Sequence, residues 1–296
     1  MREFTVYAPA KLNLYLDVIG KRPDGYHNIE TLFEKIDLKD EIVIKEKNRG
    51  IDVKVEPSDL CPSGKDNIVY EAVQALLKES GADLGLEIVI RKKIPVSAGL
   101  GGGSSNAASV MLAINKAFEL GITQKRLFSM AGQIGKDVPF FMTDHSLALG
   151  TGTGDDLEKI DADIDLAHIL IKPKESFSTA RMYKNIDNNR QKTKGPGIEG
   201  LISALKDQDI DMVRKSCYNI FEKVLGKDST SIIDRARKSL KDAGAGHGFL
   251  SGSGPTLFCI LNNKLEAMEI AKHISRLKGM QVFVATKHKG GIYGDN

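Results

Sequence analysis

The segment Gly99-Leu-Gly-Gly-Gly-Ser-Ser105 constrains the fold of this chain more than any other. An apolar run over residues 86–90 predicts a strand before it, and apolar positions spaced along residues 104–120 predict a helix after it. Four glycines in five positions weaken any regular element, so they indicate that something must approach the backbone closely. Consecutive free amides ahead of a helix form an anion-binding concavity. This segment, the first glycine loop, therefore predicts a phosphate site.

Two commoner glycine motifs do not match the first glycine loop. It lacks the Gly-Lys-Ser/Thr ending of a P-loop, and Ser104 stands where Gly-x-Gly-x-x-Gly requires its third glycine. Neither mismatch removes the backbone amides, so a nucleotide is still compatible with the loop. On this segment alone, the alternative that Ser104 or Ser105 only caps the following helix stays open.

Length and charge limit the classes of protein that fit. With 296 residues, the chain is long enough for two domains with separate cores. Its 42 basic and 39 acidic residues are spread along the sequence, so no basic stripe indicates nucleic acid. No apolar run reaches about 18 residues, and the first residues lack the pattern of a leader peptide. We therefore expect a cytosolic protein with no nucleic-acid or membrane partner. A monomer or weak homodimer is a separate expectation.

Cysteine and histidine spacing indicates no metal site formed by the protein alone. Cys61, Cys217 and Cys259 lie far apart and are odd in number, which also argues against a disulfide framework. The six histidines show no ligand spacing either. A metal ion is therefore expected only together with a nucleotide.

Hydrophobic periodicity predicts strands first and then a mixture of helices and strands, which is an α+β order. Strict alternation over residues 11–18 predicts a half-buried strand with Lys11 on its polar face. A Gly/Thr-rich stretch at residues 150–154, followed by an acidic stretch, is the best boundary between two halves. Polar residues, glycine and proline over residues 185–197 predict a mobile loop.

Several polar features outside the first glycine loop could carry chemistry. Lys11 could neutralise phosphate charge, or it could be an ordinary solvated lysine. Asp137 precedes an apolar Val-Pro-Phe-Phe segment that would hold its carboxylate as a general base must be held, or it is a turn aspartate. Tyr26 and His27 could grip a flat base, or only pack within their turn. A second glycine loop, residues 248–256, could form the opposite wall of the site, or be a tight turn before a strand.

Taken together, these segments resemble the GHMP kinase superfamily, named for its galactokinase, homoserine kinase, mevalonate kinase and phosphomevalonate kinase members. Three motifs match in the order of the family: Pro9-Ala-Lys-Leu-Asn-Leu14, residues 95–105, and Leu250-Ser-Gly-Ser-Gly-Pro-Thr256. Further segments are similar to one branch of the family, whose substrate is an alcohol that carries a cytidine diphosphate group. These are residues 21–27, 135–141 and 177–183.

The resemblance implies an α+β, two-domain GHMP kinase fold. Residues 1–157 would form the N-terminal domain, which is like domain 2 of ribosomal protein S5 and carries the ATP phosphate-binding loop. Residues 158–296 would form a C-terminal domain that is a ferredoxin-like α/β sandwich. The active site would lie in the cleft between the two domains.

The resemblance also implies a role for each matched residue. Lys11 and Asp137 would be the catalytic pair, in which Asp137 takes the proton of the attacking hydroxyl group and Lys11 stabilises charge. The substrate would contact Asn13, Tyr26, His27 and Thr179, with Tyr26 stacking on the cytosine and His27 hydrogen-bonding to it. Mg²⁺ would bridge the β- and γ-phosphates of ATP, without an identifiable protein ligand. ATP itself would be held by Pro95, Val96, Ser97, Ala98, Gly99, Leu100, Gly101, Gly102, Gly103, Ser104, Ser105 and Asn67.

Two positions depart from the pattern of the family. Asn106 stands where many relatives carry Asp, so we assign it no charged or metal-binding role. Lys136 stands where a small residue is common, and we expect its cation beside the Asp137 carboxylate. Two other functions stay open: another small-molecule GHMP kinase that acts on homoserine, mevalonate or a sugar, and a nucleotide-binding relative without catalysis.

Overall fold

The computed structural model describes residues 1–58, 60–188, 195–274 and 279–289, which form an α+β fold. The strands are β1 (Glu3–Lys21), β2 (His27–Lys47), β3 (Ile51–Glu56), β4 (Gly85–Arg91), β5 (Leu147–Thr151), β6 (Asp156–Lys159), β7 (Ala167–Pro173), β8 (Tyr218–Asn219), β9 (Phe249–Leu250), β10 (Leu257–Leu261) and β11 (Met280–Thr286). The α-helices are α1 (Ile68–Ser80), α2 (Gly102–Ala117), α3 (Gln124–Ile134), α4 (Val138–Met142), α5 (Thr179–Asn188), α6 (Glu199–Lys206), α7 (Ile210–Ser216), α8 (Lys227–Asp242) and α9 (Lys264–Ile274).

The strands form two sheets. The larger sheet has the order β3-β4-β2-β1-β8, with β5 beside β2 and β6 beside β5. In it β3 and β4 are parallel, with α1 between them in the chain, while β1 and β2 form a long antiparallel hairpin. The second sheet is antiparallel, in the order β11-β7-β10-β9. Because β8 pairs with β1 at Tyr15 and Leu16, the larger sheet contains strands from both halves of the chain.

Strand β1 is covered on both faces, so the prediction of a half-buried strand is wrong. Its apolar face is buried as expected, but Lys11, Asn13 and Asp17 on the polar face are only 4%, 3% and 3% exposed. The Lys11 amide donates to the Leu100 carbonyl at 3.0 Å, which places the first glycine loop against this strand. Alternation in the sequence identified the polar face, but it carries no information about what covers that face.

Helix α2 joins the first glycine loop to the core of the larger sheet. It begins two residues before the predicted start and ends three residues before the predicted end. Its buried face contains small side chains such as Ala107 and Ala108, together with Val110 and Met111, and it belongs to the core that includes β1, β2, β4 and α1. Small residues allow the helix to lie close to the sheet, so the position of its first turn is fixed by packing.

The segment predicted as a mobile loop is partly helical. Residues 185–188 form the last turn of α5, and residues 189–194 lie outside the described residues. Beyond them, the Gly195 amide donates to Asp17 Oδ2 at 2.9 Å, so the chain returns to β1. In the described part of the chain, no helix has the length and apolarity needed to cross a membrane.

Ionisable groups lie buried where the two sheets meet. Glu34 on β2 and His168 on β7 are fully buried, and His168 Nε2 lies 3.0 Å from Glu34 Oε2. Nearby, the Thr286 amide and hydroxyl group both donate to Asp37, at 2.8 Å each. These contacts hold β7 and β11 of the second sheet against β2, which fixes the two sheets relative to one another.

The neighbouring Lys35 makes the stability of the fold depend on pH. Its ammonium group is buried against the Thr143 carbonyl at 2.5 Å, and burial lowers the pKa of Lys35 to about 8. Between pH 8 and 10 the folded state therefore loses this proton while the unfolded state keeps it, so the Lys35 contribution to stability increases with pH. Relative to Lys35→Met, we expect the wild-type free energy of unfolding to rise by roughly 2 kcal/mol between pH 7.5 and 10. Urea unfolding of both proteins measures this difference, and parallel pH profiles would contradict it.

Candidate active site

A cavity of about 280 Å³ lies where β1 meets both glycine loops. Its wall includes Lys11 and Asn13 of β1, Asp137 at the start of α4, and Thr179 and Tyr183 of α5. The first glycine loop contributes Ser97, Gly99 and Gly101, and the second contributes Gly252, Ser253 and Gly254. Segments that are distant in sequence, with a cation, a carboxylate and two glycine loops among them, therefore converge on one cavity.

Lys11 and Asp137 form an ion pair on the wall of this cavity. Lys11 Nζ lies 3.5 Å from Asp137 Oδ2, and it donates to Asn13 Oδ1 at 2.5 Å. The lysine side chain is 5% exposed, whereas the carboxylate is 36% exposed. Asp137 makes no capping hydrogen bond to α4 through its side chain. Its carboxylate is thus held beside a buried cation and is still accessible to a molecule in the cavity.

A chain of hydrogen bonds orients Asn13. Its amide nitrogen donates to Thr31 Oγ1 at 2.8 Å, and the Thr31 hydroxyl group donates to the Tyr15 carbonyl at 2.7 Å. Because the Asn13 nitrogen is occupied, its oxygen faces Lys11. The lysine is therefore fixed from one side by an amide oxygen and from the other by Asp137.

The first glycine loop is clamped between β1 and the second glycine loop. Gly99 has a φ of +76°, and a Cβ at this position would lie 2.2 Å from the Ser251 carbonyl oxygen. The Ser251 hydroxyl group donates to the Gly99 carbonyl at 3.0 Å. The two loops are therefore packed backbone to backbone, which explains why both contain glycine.

The first turn of α2 has the properties of an anion site. Gly101, with a φ of +68°, precedes the helix and provides no side-chain cap, and the first turn contains no acidic residue. Ser105 Oγ is fully buried and has no hydrogen-bond partner among the described residues. Free amides and an orphaned hydroxyl group at the positive end of a helix dipole fit a phosphate group.

Asp40 supports the first glycine loop, although no pattern in the sequence indicates this role. Its buried carboxylate accepts from the Ile94 amide at 2.8 Å and from Asn106 Nδ2 at 2.9 Å. It also forms an ion pair with Lys92, whose side chain is 4% exposed. Asp40 thus ties the chain entering the loop to α2. It follows the unremarkable segment Asp-Leu-Lys, so only the tertiary fold reveals its role.

The predicted substrate residues occupy different positions relative to the cavity. Thr179 lies on its wall, with its hydroxyl oxygen 2.8 Å from that of Ser253. Tyr26 and His27 are not part of that wall; Tyr26 is 55% exposed. His27 stacks on Tyr183, which does line the cavity, with ring centroids 4.8 Å apart. Sequence reasoning missed Tyr183, although its aromatic side chain lies in the quoted segment 177–183.

Two other expected residues are engaged in contacts of their own. Asn67 caps α1: its side-chain oxygen accepts from the Val69 amide at 2.9 Å, and its nitrogen donates to the Pro62 carbonyl at 2.7 Å. It does not line the cavity. Lys136 was expected beside Asp137, but its ammonium group pairs instead with Asp155 Oδ2 at 2.9 Å. The cation next to the Asp137 carboxylate is therefore Lys11.

Comparisons with known proteins show the family to which this chain belongs. Family models for the GHMP kinases N terminal domain and the GHMP kinases C terminal match residues 67–145 and 201–277. Fold and site thus define a GHMP kinase. The 4-diphosphocytidyl-2-C-methyl-D-erythritol kinase of Clostridioides difficile is 38% identical, over 96% of this chain and 95% of its own, and that of Alkaliphilus metalliredigens is 35% identical over 94% of each. The chain belongs to this family, the 4-diphosphocytidyl-2-C-methyl-D-erythritol kinases.

Solved structures show the same fold. A crystal structure of 4-(cytidine 5'-diphospho)-2C-methyl-D-erythritol kinase matches with a TM-score of 0.82 and 28% identity, over 97% of this chain and 100% of the other. Homoserine kinase from Cytophaga hutchinsonii matches with a TM-score of 0.72 and 21% identity, over 98% and 96%. At that identity the second match concerns the fold alone.

Proposed function

We propose that this protein transfers the γ-phosphoryl group of ATP to the 2-hydroxyl group of 4-diphosphocytidyl-2-C-methyl-D-erythritol, in the non-mevalonate route to isoprenoid precursors. The products are the 2-phosphate of that alcohol and ADP. The observation that carries the proposal is the Lys11–Asp137 pair, 3.5 Å apart, in a cavity bordered by both glycine loops. The printed names of its relatives supply the identity of the acceptor.

In this proposal Asp137 is the general base and Lys11 stabilises charge. The 2-hydroxyl oxygen forms a bond to the γ-phosphorus, the bond from that phosphorus to the β-phosphate oxygen breaks, and the hydroxyl proton goes to an Asp137 oxygen. Lys11 Nζ, which donates to Asn13 Oδ1 and lies 3.5 Å from Asp137 Oδ2, would stabilise the oxygen as it loses its proton. Positioning and charge neutralisation are the main requirements of phosphoryl transfer.

The first glycine loop is proposed to bind the phosphates of ATP. The uncapped amides of α2 and the orphaned Ser105 hydroxyl group fit phosphate oxygens, and Asp40 holds the entry to the loop in place. Residues 95–98 would lie along the nucleotide, and Asn67 near the adenine, in keeping with the family pattern. Mg²⁺ would be held chiefly by the phosphates of ATP, as is usual for this ion at nucleotide sites. When bound, it neutralises phosphate charge.

The remaining predictions complete the proposal. Asn13 and Thr179 on the cavity wall would contact the substrate, Tyr26 would stack on the cytosine, and His27 would hydrogen-bond to that base. Because Tyr26 is exposed and away from the cavity wall, the 22–26 turn would have to close over the base. The domain boundary between residues 157 and 158, a cytosolic location and a monomer or weak homodimer belong to the same proposal.

Replacing Tyr26 tests whether the substrate carries a base. We expect Tyr26→Ala to raise KM for the cytidine substrate by about tenfold or more, because stacking of an aromatic side chain on one base contributes about 1–3 kcal/mol. Tyr26→Phe keeps the ring and should keep KM close to the wild-type value. Steady-state assays of ADP release measure both variants. An unchanged KM in Tyr26→Ala would favour another GHMP kinase substrate without a base.

A further inference from the structure

Asp187 joins three elements at the turn end of the β1–β2 hairpin. It lies near the end of α5, and its Oδ1 is 2.9 Å from His27 Nε2 at the start of β2. Its Oδ2 accepts from Lys21 Nζ, at the end of β1, at 2.5 Å. Lys21 and His27 are direct partners in the antiparallel register, on either side of the 22–26 turn. One carboxylate therefore connects the base of this turn to α5.

The protonation state of this carboxylate fixes the tautomer of His27. Hydrogen bonds from His27 and Lys21 lower the pKa of Asp187 to about 2, so it is ionised at neutral pH. An ionised carboxylate only accepts hydrogen bonds. His27 Nε2 must therefore carry a hydrogen, and in the neutral ring Nδ1 is left with a lone pair.

The other contacts of His27 leave its Nδ1 edge available. Tyr183 covers one face of the imidazole ring, with an angle of 21° between the two planes. The His27 side chain is 8% exposed, and within the described part of the chain nothing hydrogen-bonds to Nδ1. Stacking covers a face of the ring and not its edge. A base that lies beside the Nδ1 edge of His27, in the plane of the ring, would therefore meet a hydrogen-bond acceptor.

We infer that Asp187 is a positioning residue that makes His27 an acceptor at Nδ1 and thereby selects cytosine over uracil in the substrate. The inference rests on the proposed function, because it concerns the base that His27 would contact. Cytosine presents an amino group, which donates, where uracil presents a carbonyl oxygen, which only accepts. A ring with a lone pair at Nδ1 accepts a hydrogen bond from the cytosine amino group. With uracil, the same lone pair would face a carbonyl oxygen, and two acceptors cannot form a hydrogen bond. Discrimination between the bases then follows from the tautomer.

Asp187→Asn is the test variant, because Lys21 controls how the new amide is oriented. The Lys21 ammonium group can only donate, so it donates to the amide oxygen of the asparagine side chain that replaces Asp187. The amide NH₂ group then faces His27 Nε2. That nitrogen must then accept, and the ring hydrogen moves to Nδ1. Adding Lys21→Met removes this constraint and lets the amide oxygen return to His27. Asp52→Asn, in an exposed pair with Lys47, is the matched control for loss of a surface carboxylate.

Kinetics with the cytidine substrate and its uridine counterpart distinguishes a role of Asp187 in base selection from a purely structural role. For Asp187→Asn, we expect kcat/KM for the cytidine substrate to fall by about tenfold or more, through KM, and the preference over the uridine counterpart to fall by about tenfold. The double variant with Lys21→Met should recover part of that preference, and Asp52→Asn should keep all of it. Equal losses for both substrates, an unchanged preference, or a loss confined to kcat would overturn the inference.

Histidine NMR gives a readout that does not depend on turnover. Nitrogen-correlated spectra, assigned by comparison with His27→Ala, should show hydrogen at Nε2 in the wild-type protein and at Nδ1 in Asp187→Asn. Hydrogen at Nδ1 in the wild-type protein would contradict the role of Asp187. If the wild-type protein failed to phosphorylate the cytidine substrate, the proposed function would fail while the tautomer measurement still decided the role of Asp187.

Discussion

Replacing Asp137 with asparagine is expected to lower kcat by about 10²–10⁴-fold, the usual contribution of a general base. The amide keeps the size of the side chain and can still contact Lys11, but it cannot take the hydroxyl proton. KM for ATP and for the alcohol should stay within about threefold of the wild-type values, because the phosphate site is formed by other residues. Steady-state ADP release at saturating substrate measures this change.

Asp144→Asn is the control for Asp137→Asn. Asp144 follows the same short helix, and its side chain is 93% exposed, so its carboxylate lies in solvent. We expect its kcat to stay within about twofold of the wild-type value, as for most surface substitutions. Substrate-dependent turnover that survives at the wild-type rate in Asp137→Asn would show that another group takes the proton.

Gly99→Ala is expected to damage both stability and activity. A Cβ at this position would lie 2.2 Å from the Ser251 carbonyl oxygen, and the backbone φ of +76° is unfavourable for alanine. Left-handed strain and overpacking together should reduce the free energy of unfolding by about 2–5 kcal/mol. Since the two glycine loops must separate to admit the methyl group, kcat/KM should fall by about 100-fold or more, as expected when reacting groups shift by about 1 Å.

Gly121→Ala separates backbone strain from the clash. Gly121 has a similar φ of +70°, but a Cβ there meets nothing within 4 Å. We expect a loss of about 1–2 kcal/mol in the free energy of unfolding and unchanged kinetics. Urea unfolding and ADP release should be measured on both variants. Equal effects in the two proteins would show that contact between the glycine loops does not shape the active site.

Local patterns were sufficient to predict the first glycine loop and its surroundings. The strand before the loop, glycines in a left-handed conformation and the helix after the loop can all be predicted from one short segment, and the structure contains all three. Alternation also separated Lys11 and Asn13 from the apolar face of β1. Burial of that polar face could not be predicted, because Lys11 and Asn13 are covered by residues such as Gly252, about 240 positions later in the chain.

Helix α5 shows where local patterns were insufficient. Its last four residues, 185–188, were predicted as part of a loop, because the segment 185–197 is rich in Asn, Lys, Gln, Gly and Pro, which are common in loops. The helix nevertheless contains Tyr183, on the wall of the cavity, and Asp187, which holds His27. Asp40 was missed for a related reason: its partners lie more than 50 residues away, so no spacing in the sequence connects them.

Phosphorus NMR of the reaction mixture tests the central proposal most directly. Wild-type protein, ATP, Mg²⁺ and 4-diphosphocytidyl-2-C-methyl-D-erythritol should give ADP and one new phosphate monoester in equal amounts, with the ester at the 2-hydroxyl group. Asp137→Asn under the same conditions should give almost none. ADP that forms without the monoester, or equal phosphorylation of homoserine, mevalonate or a sugar, would contradict the proposal.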